Sequence, residues 1–123
     1  MSAELADRFL AVWGEPDAEV ARRRLEEVCV PDLDYRNPVV RLGGTAALAG
    51  HIAELAPMMG ESRPVRTTGA QFVAGWCRYG WAVRPPLPGV DLHGETMFLL
   101  GEDGRITHVV SFHGALEGRT YAL

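Results

Sequence analysis

Only two cysteines occur among the 123 residues, Cys29 and Cys77. Both sit in apolar surroundings without metal-ligand spacing, so they read as buried, reduced thiols. Basic residues are also scarce, with 12 Lys and Arg against 16 Asp and Glu, and the net charge is −4. No basic stripe is available to release phosphate counterions, which argues against a nucleic-acid partner. The densest basic run, Arg22-Arg23-Arg24, is surrounded by Glu19, Glu26 and Glu27 and reads as a solvated, ion-paired helix face. No apolar run reaches the ~20 residues needed to span a bilayer, and the N-terminal stretch is acidic and amphipathic rather than a signal peptide. These absences lead to the expectation of a cytoplasmic protein with no membrane and no nucleic-acid partner. Missing too are a Gly-rich phosphate loop, a nucleophile elbow, a Cys-His pair and a metal-ligand cluster. No cofactor and no metal are expected.

What is present is a chain of 47% hydrophobic and 23% charged residues, an ordinary composition for one globular domain covering 1–123. Its organising stretch lies in the last third. Two β-rich runs, ending in Met97-Phe98-Leu99-Leu100 and opening at Arg105-Ile106, flank the turn Gly101-Glu102-Asp103-Gly104. The Asp-Gly pair supplies the residue that tolerates positive φ, so the spacing predicts a long hairpin.

The upstream chain supplies elements to cover that hairpin. Leu5, Phe9, Val12 and Trp13 recur at helical spacing and predict a helix over 3–13, stopped by Gly14 and Pro16. Asp17 caps a second helix over 18–28, closed by Pro31. A short strand covers 33–37, and Thr45 is placed to cap a third helix over 46–59 whose last turn contains Pro57. On that helix His51 is equally compatible with a solvent-facing position. Residues 63–74 and 76–84 are β-like, separated by Gly75 as a turn or bulge, and Pro85-Pro86-Leu87-Pro88-Gly89 forms a rigid loop. Helices first and a meander last predict an α+β fold with three N-terminal helices packed on the concave face of a curved antiparallel sheet. Such a cone leaves room for a pocket.

Several local cues carry a resemblance: Phe9-Leu10-Ala11-Val12-Trp13 leading to Asp17; Asp34-Tyr35-Arg36-Asn37-Pro38; Gly43-Gly44 before the third helix; and His93-Gly94-Glu95 before Asp103-Gly104-Arg105-Ile106. In order and spacing the chain resembles the nuclear transport factor 2-like superfamily, also described as cystatin-like, and its SnoaL-like, polyketide cyclase-like branch. The resemblance implies a cone-shaped α+β barrel and a homodimer formed through the outer sheet face. It leaves function open, because cyclases, isomerases, epoxide hydrolases and non-catalytic domains share this fold. Ketosteroid isomerases carry a base carboxylate where this chain has Asn37, a phenol where it has Phe9, and a protonated acid near Thr96. The carboxylate of SnoaL-like cyclases falls on Ser111. No Asp-Arg-Asp set of the epoxide hydrolase type is present. Steroid-type isomerisation is therefore not expected.

Strand alternation places Thr107, Val109, Ser111 and His113 on one face of the last strand, and Ile106, His108, Val110 and Phe112 on the other. The resemblance turns the first set toward the pocket and the second toward a dimer interface. His113 is then the candidate catalytic acid/base, or else a solvent-exposed strand-end histidine. Tyr35, Asn37, Trp13, Met58, Trp81, Thr96, Phe98 and Ser111 are the candidate substrate-binding residues. Asp91, His93 and Glu95 alternate on one side of their strand, as either an exposed polar face or a competing site. If Thr96 and Phe98 line the pocket, those three face away from it. Two functions fit this pattern. One is a cofactor-independent cyclase, isomerase or hydrolase acting by acid-base chemistry on a small, largely apolar, oxygenated molecule. The other is a non-catalytic ligand-binding or dimerisation domain. The enzyme reading requires a cavity of about 300 Å³ or more.

Overall fold

A computed structural model describes residues 2–114. The first helix, α1 (Glu4–Leu10), is shorter than its apolar periodicity suggests. Beyond Leu10 the chain tightens, with Val12 and Trp13 donating to carbonyls three residues back, and Gly14 at φ +99° ends it. In α2 (Ala18–Glu26) Asp17 is the N-cap, its carboxylate accepting from the amides of Glu19 at 2.9 Å and Val20 at 3.2 Å. Arg22 pairs with Glu19 and, at 3.0 Å, with Glu26, so the basic run is an ion-paired face.

The following strand, β1 (Cys29–Arg36), begins before Pro31 and not after it. Pro31 sits inside the strand, where the pairing register shifts between Cys29 and Asp34. A residue without an amide proton is tolerated at such an irregularity. A short β2 (Arg41–Gly43) leads into α3 (Thr45–Met59). Thr45 is the first helical residue and Gly44 is the N-cap. The buried Thr45 hydroxyl donates to the Glu26 carboxylate at 2.6 Å and ties α3 to α2. Pro57 lies within the last turn of α3 without ending it.

The β-like run 63–74 divides into β3 (Arg63–Arg66) and β4 (Gln71–Val73). Ala74 and Gly75, both at positive φ, turn the chain into β5 (Trp76–Arg84). The proline loop then leads to β6 (His93–Leu100), and the expected turn, with Gly104 at φ +80°, to β7 (Ile106–His113). The sheet order is β2-β1-β7-β6-β5-β3, with β4 also paired to β5.

The architecture is the expected α+β cone, three helices over a curved sheet, with one correction. The sheet is mixed and not wholly antiparallel, because β1 pairs parallel to β7. Parallel neighbours need a long crossover, which α3 and the β3–β6 meander provide. A second correction concerns Ile106, expected on the outer face but fully buried. The register slips between Leu99 and Leu100, so that Leu99 faces His108 while Leu100 faces Ile106. Thr107 is the extra residue, and alternation resumes only after it.

The core lies between helices and sheet, with Leu25, Leu33, Leu48, Ile52, Phe98 and Val109 all fully buried. Cys29 and Cys77 are buried and free, and burial pushes the Cys29 thiol up to about 12. Among the described residues no helix is long and apolar enough to cross a membrane.

Candidate functional site

The helices do not fill the cone completely. A cavity of about 260 Å³ remains between α1, α3 and the inner sheet face, slightly smaller than expected. On α3 the residues His51, Leu55, Met58 and Met59 line it, a stripe at offsets 0, 4, 7 and 8 that forms one helical face. Phe9, Leu10 and Trp13 contribute the α1 side. The sheet supplies Tyr35, Trp81, Thr96, Ser111 and His113, and Leu87 and Leu92 of the proline loop complete the rim. That loop is pinned by Ser62, whose hydroxyl donates to the Pro85 carbonyl at 2.6 Å.

Eight of the nine residues singled out from sequence line this cavity; Phe98 does not. It is fully buried and packs against Tyr79 at 6.0 Å. The reason lies in the pairing: Thr96 faces Ser111, whereas Phe98 faces Val109 two residues deeper, where the cone closes into solid core. His51, left open by the sequence, is a lining residue. His93 and Glu95 lie on the other side of their strand from Thr96 and Asp91 precedes it; Asp91 pairs with Arg84 at 3.9 Å and lies 3.7 Å from His93, and Glu95 pairs with Arg78 at 4.0 Å. No cluster of three or more His, Cys, Asp or Glu side chains suited to a metal occurs among the described residues.

The polar atoms of the cavity have a defined direction. Asn37 accepts from the amides of Val39 at 2.8 Å and Val40 at 2.9 Å through Oδ1. Its amide group is thereby oriented, and Nδ2 donates to the Tyr35 hydroxyl at 3.2 Å. The phenol oxygen is an acceptor in this chain, and its own proton meets no acceptor among the described residues. Burial dominates the Tyr35 ionisation and pushes it up to about 12, against a smaller opposing effect of the Asn37 hydrogen bond. Tyr35 thus stays protonated at neutral pH. The Thr96 and Ser111 hydroxyls share a hydrogen bond of 2.9 Å.

His113 stands edge-on to Trp81, with ring centroids 5.6 Å apart and planes at 83°. Burial alone lowers its pKa, which favours the neutral imidazole. His51 stands in the same relation to Trp13, at 6.3 Å and 88°. Among the described residues no carboxylate lines the cavity. Its chemistry therefore consists of two imidazoles and several neutral donors in an apolar wall.

No protein-family model and no curated protein sequence matches this chain. Solved structures do. A candidate isomerase of the SnoaL-like family from Agrobacterium tumefaciens has a TM-score of 0.78 at 24% identity, covering 91% of this chain and 96% of that one. A candidate SnoaL-like polyketide cyclase from a Jannaschia species has 0.71 at 16%, covering 90% and 83%. A protein of ketosteroid isomerase-like fold from Catenulispora acidiphila, in complex with trimethylamine, has 0.71 at 13%, covering 100% and 88%. The fold is nuclear transport factor 2-like. Within that fold this chain resembles the SnoaL-like proteins in architecture.

Proposed function

We propose that this protein binds a compact, largely apolar molecule carrying a carbonyl or comparable oxygen, and that it moves a proton on that molecule without a cofactor. His113 is the base. Tyr35 and Asn37 hold the oxygen, assisted by the Thr96–Ser111 pair. The observation that carries this reading is the polarity of the hydrogen-bond chain ending at Tyr35. A buried phenol that accepts from a fixed amide, and whose proton meets no acceptor among the described residues, has that proton for a guest oxygen, and such a donor stabilises charge developing on a carbonyl. A half-buried imidazole kept neutral by its surroundings suits abstraction of a proton from carbon. The neighbours described as a candidate isomerase and a candidate cyclase are consistent with proton-transfer chemistry. The volume of about 260 Å³ favours one or two fused rings over a longer polycycle.

The competing reading is capture of the same ligand without turnover, favoured by the lack of a carboxylate among the described lining residues. The two are separated with 2-tetralone, an aryl-fused ketone with activated C–H bonds, in D₂O. Proton NMR follows deuterium incorporation next to the carbonyl. Incorporation above the buffer rate is expected, falling by about 100-fold or more in His113→Gln. Saturable binding with no incorporation above buffer would leave the binding domain as the function.

The functional unit in this reading is a homodimer built on the outer sheet face. Met97 and Val110 face each other across β6 and β7 there, and Phe112 is 53% exposed. An apolar patch with flanking charges on a sheet face suits a partner of the same kind.

A further inference from the structure

We propose that the mouth of the cavity is a second ligand subsite, in which Val39 and Met58 take a hydrocarbon tail. The molecule bound is then elongated, with an oxygen at one end, an apolar body inside the cavity and a tail emerging over the rim. This rests on the ligand-binding part of the reading above and not on proton transfer.

The cavity has a direction. β1 and β7 are parallel. α3 starts beside β1, where the Gly44 amide donates to the Leu33 carbonyl at 2.6 Å. Further along, His51 of α3 and Tyr35 of β1 are both neighbours of the Trp13 ring. The three elements therefore run the same way. Tyr35, His51 and Ser111 are the first cavity residues on them, and Leu33, Leu48 and Val109, just before these on the same faces, are fully buried. They mark the floor. Toward the other end lie Val39, in the loop after β1, and Met58, in the last turn of α3.

Hydrogen-bonding groups and exposure fall at opposite ends of this axis. The hydroxyls that hold a guest oxygen belong to the floor. Of the described cavity residues only Val39 and Met58 are exposed, at 71% and 70%. Single apolar side chains on a surface are ordinary, and the exposed Val65, Val73 and Phe112 line none of this cavity. Val39 and Met58 differ because they come from separate segments and continue one apolar wall out into solvent. The Val39 amide is tied to Asn37 Oδ1 at 2.8 Å, which fixes that side of the mouth. Met58 is unbranched and can follow a chain of variable shape. From His51 to Met58 the helix rises about 10 Å, so a single aryl ketone bound at the floor stops short of the rim. A tail continuing from the far side of its ring covers both exposed side chains, and the apolar area removed from water drives its binding.

The test is a series of para-alkyl acetophenones, with dissociation constants taken from the ¹H–¹⁵N amide shifts of the protein. Lengthening the chain from butyl to hexyl is expected to tighten binding about fourfold, about twofold for each methylene half-covered on an open rim. The terminal methyl of the hexyl chain should give intermolecular NOEs to the methyl groups of Met58 and Val39. In the variant carrying both Val39→Ser and Met58→Ser the butyl-to-hexyl gain should vanish, whatever its affinity for the shorter compound. Equal affinities of the two compounds in the wild type, an undiminished gain in the variant, or NOEs from the chain end to floor residues each overturn the subsite. If para-methylacetophenone binds in those cases, the ligand-binding reading survives and only the rim is lost. If no member of the series binds, both are removed. The two side chains are largely in solvent, so replacing them spares the fold; should the variant still fold poorly, the NOEs in the wild type decide alone.

Discussion

Replacing Tyr35 by Phe separates a structural hydroxyl from a functional one. Tyr35 is 3% exposed and its ring packs against Trp13 at 5.9 Å, a contact that phenylalanine keeps. Two opposing terms follow from removing the oxygen. The hydrogen bond from Asn37 is lost; at 3.2 Å between neutral groups it contributes about 1 kcal/mol. Against this, a partly compensated buried hydroxyl whose proton has no acceptor among the described residues costs about 0.5–2 kcal/mol in desolvation, and that cost disappears. Asn37 itself stays anchored by the Val39 and Val40 amides and is only partly buried, so its released Nδ2 can reach water. The net change expected in urea unfolding is within about 1 kcal/mol of zero. The melting temperature should move by no more than about 4 °C. Incorporation of deuterium into 2-tetralone, in contrast, should fall about 100-fold, the usual effect of removing one oxyanion donor. A stability loss of about 3 kcal/mol with unchanged incorporation would refute the reasoning. It would mean that the phenol proton already has a partner and serves the core.

Gly94 offers a stability prediction of the opposite kind. A Cβ there would lie 1.8 Å from the Phe112 carbonyl oxygen and 2.8 Å from the Trp81 ring, so Gly94→Ala should cost at least about 3 kcal/mol in chemical denaturation and loosen the wall that holds His113. For His113 the pH dependence follows from its lowered pKa: the unfolded chain binds the proton more readily, so stability is complete above the unfolded value of about 6.5 and is lost as pH falls through the folded value. His113→Gln should flatten that acid limb in melts between about pH 7 and 5. On the outer face, Phe112→Glu should convert a dimer to a monomer in light scattering while leaving the fold intact by circular dichroism; an unchanged mass would exclude this face as the interface.

Much of the fold was legible because its signals are local. The Asp103-Gly104 turn, the Asp17 cap and the Gly14-Glu15-Pro16 stop each act within a few residues, and all three operate in the structure. The errors arise where a distant partner decides. The parallel pairing of β1 with β7 joins strands about 70 residues apart, and no turn residue encodes it. Pro31 reads as a helix stop because proline ends helices, yet the strand accommodates it at a register shift. Ile106 was assigned to the wrong face because alternation was counted from a strand whose partner slips by one residue at Leu99–Leu100.

The candidate site follows the same division. That Ser111 and His113 share a face is a property of one strand and could be read directly, whereas the inward direction of that face came from the resemblance. A cavity is instead a difference between two surfaces, and its depth is set by how far the helices stand off the sheet. Thr96 and Phe98 point to the same side of β6, but only Thr96 meets open space, since at Phe98 the helical layer has closed down. His51 illustrates the converse. Its offset of four from Leu55 and seven from Met58 is visible in the sequence, which left it equally compatible with a solvent-facing position. What periodicity lacks is the neighbour that gives the position meaning: Trp13, 38 residues earlier, whose ring stands at 88° to His51 and lies 5.9 Å from Tyr35. Periodicity names the face a side chain occupies, whereas chemistry depends on what stands opposite, and for His51 that information lies in the turn beyond α1.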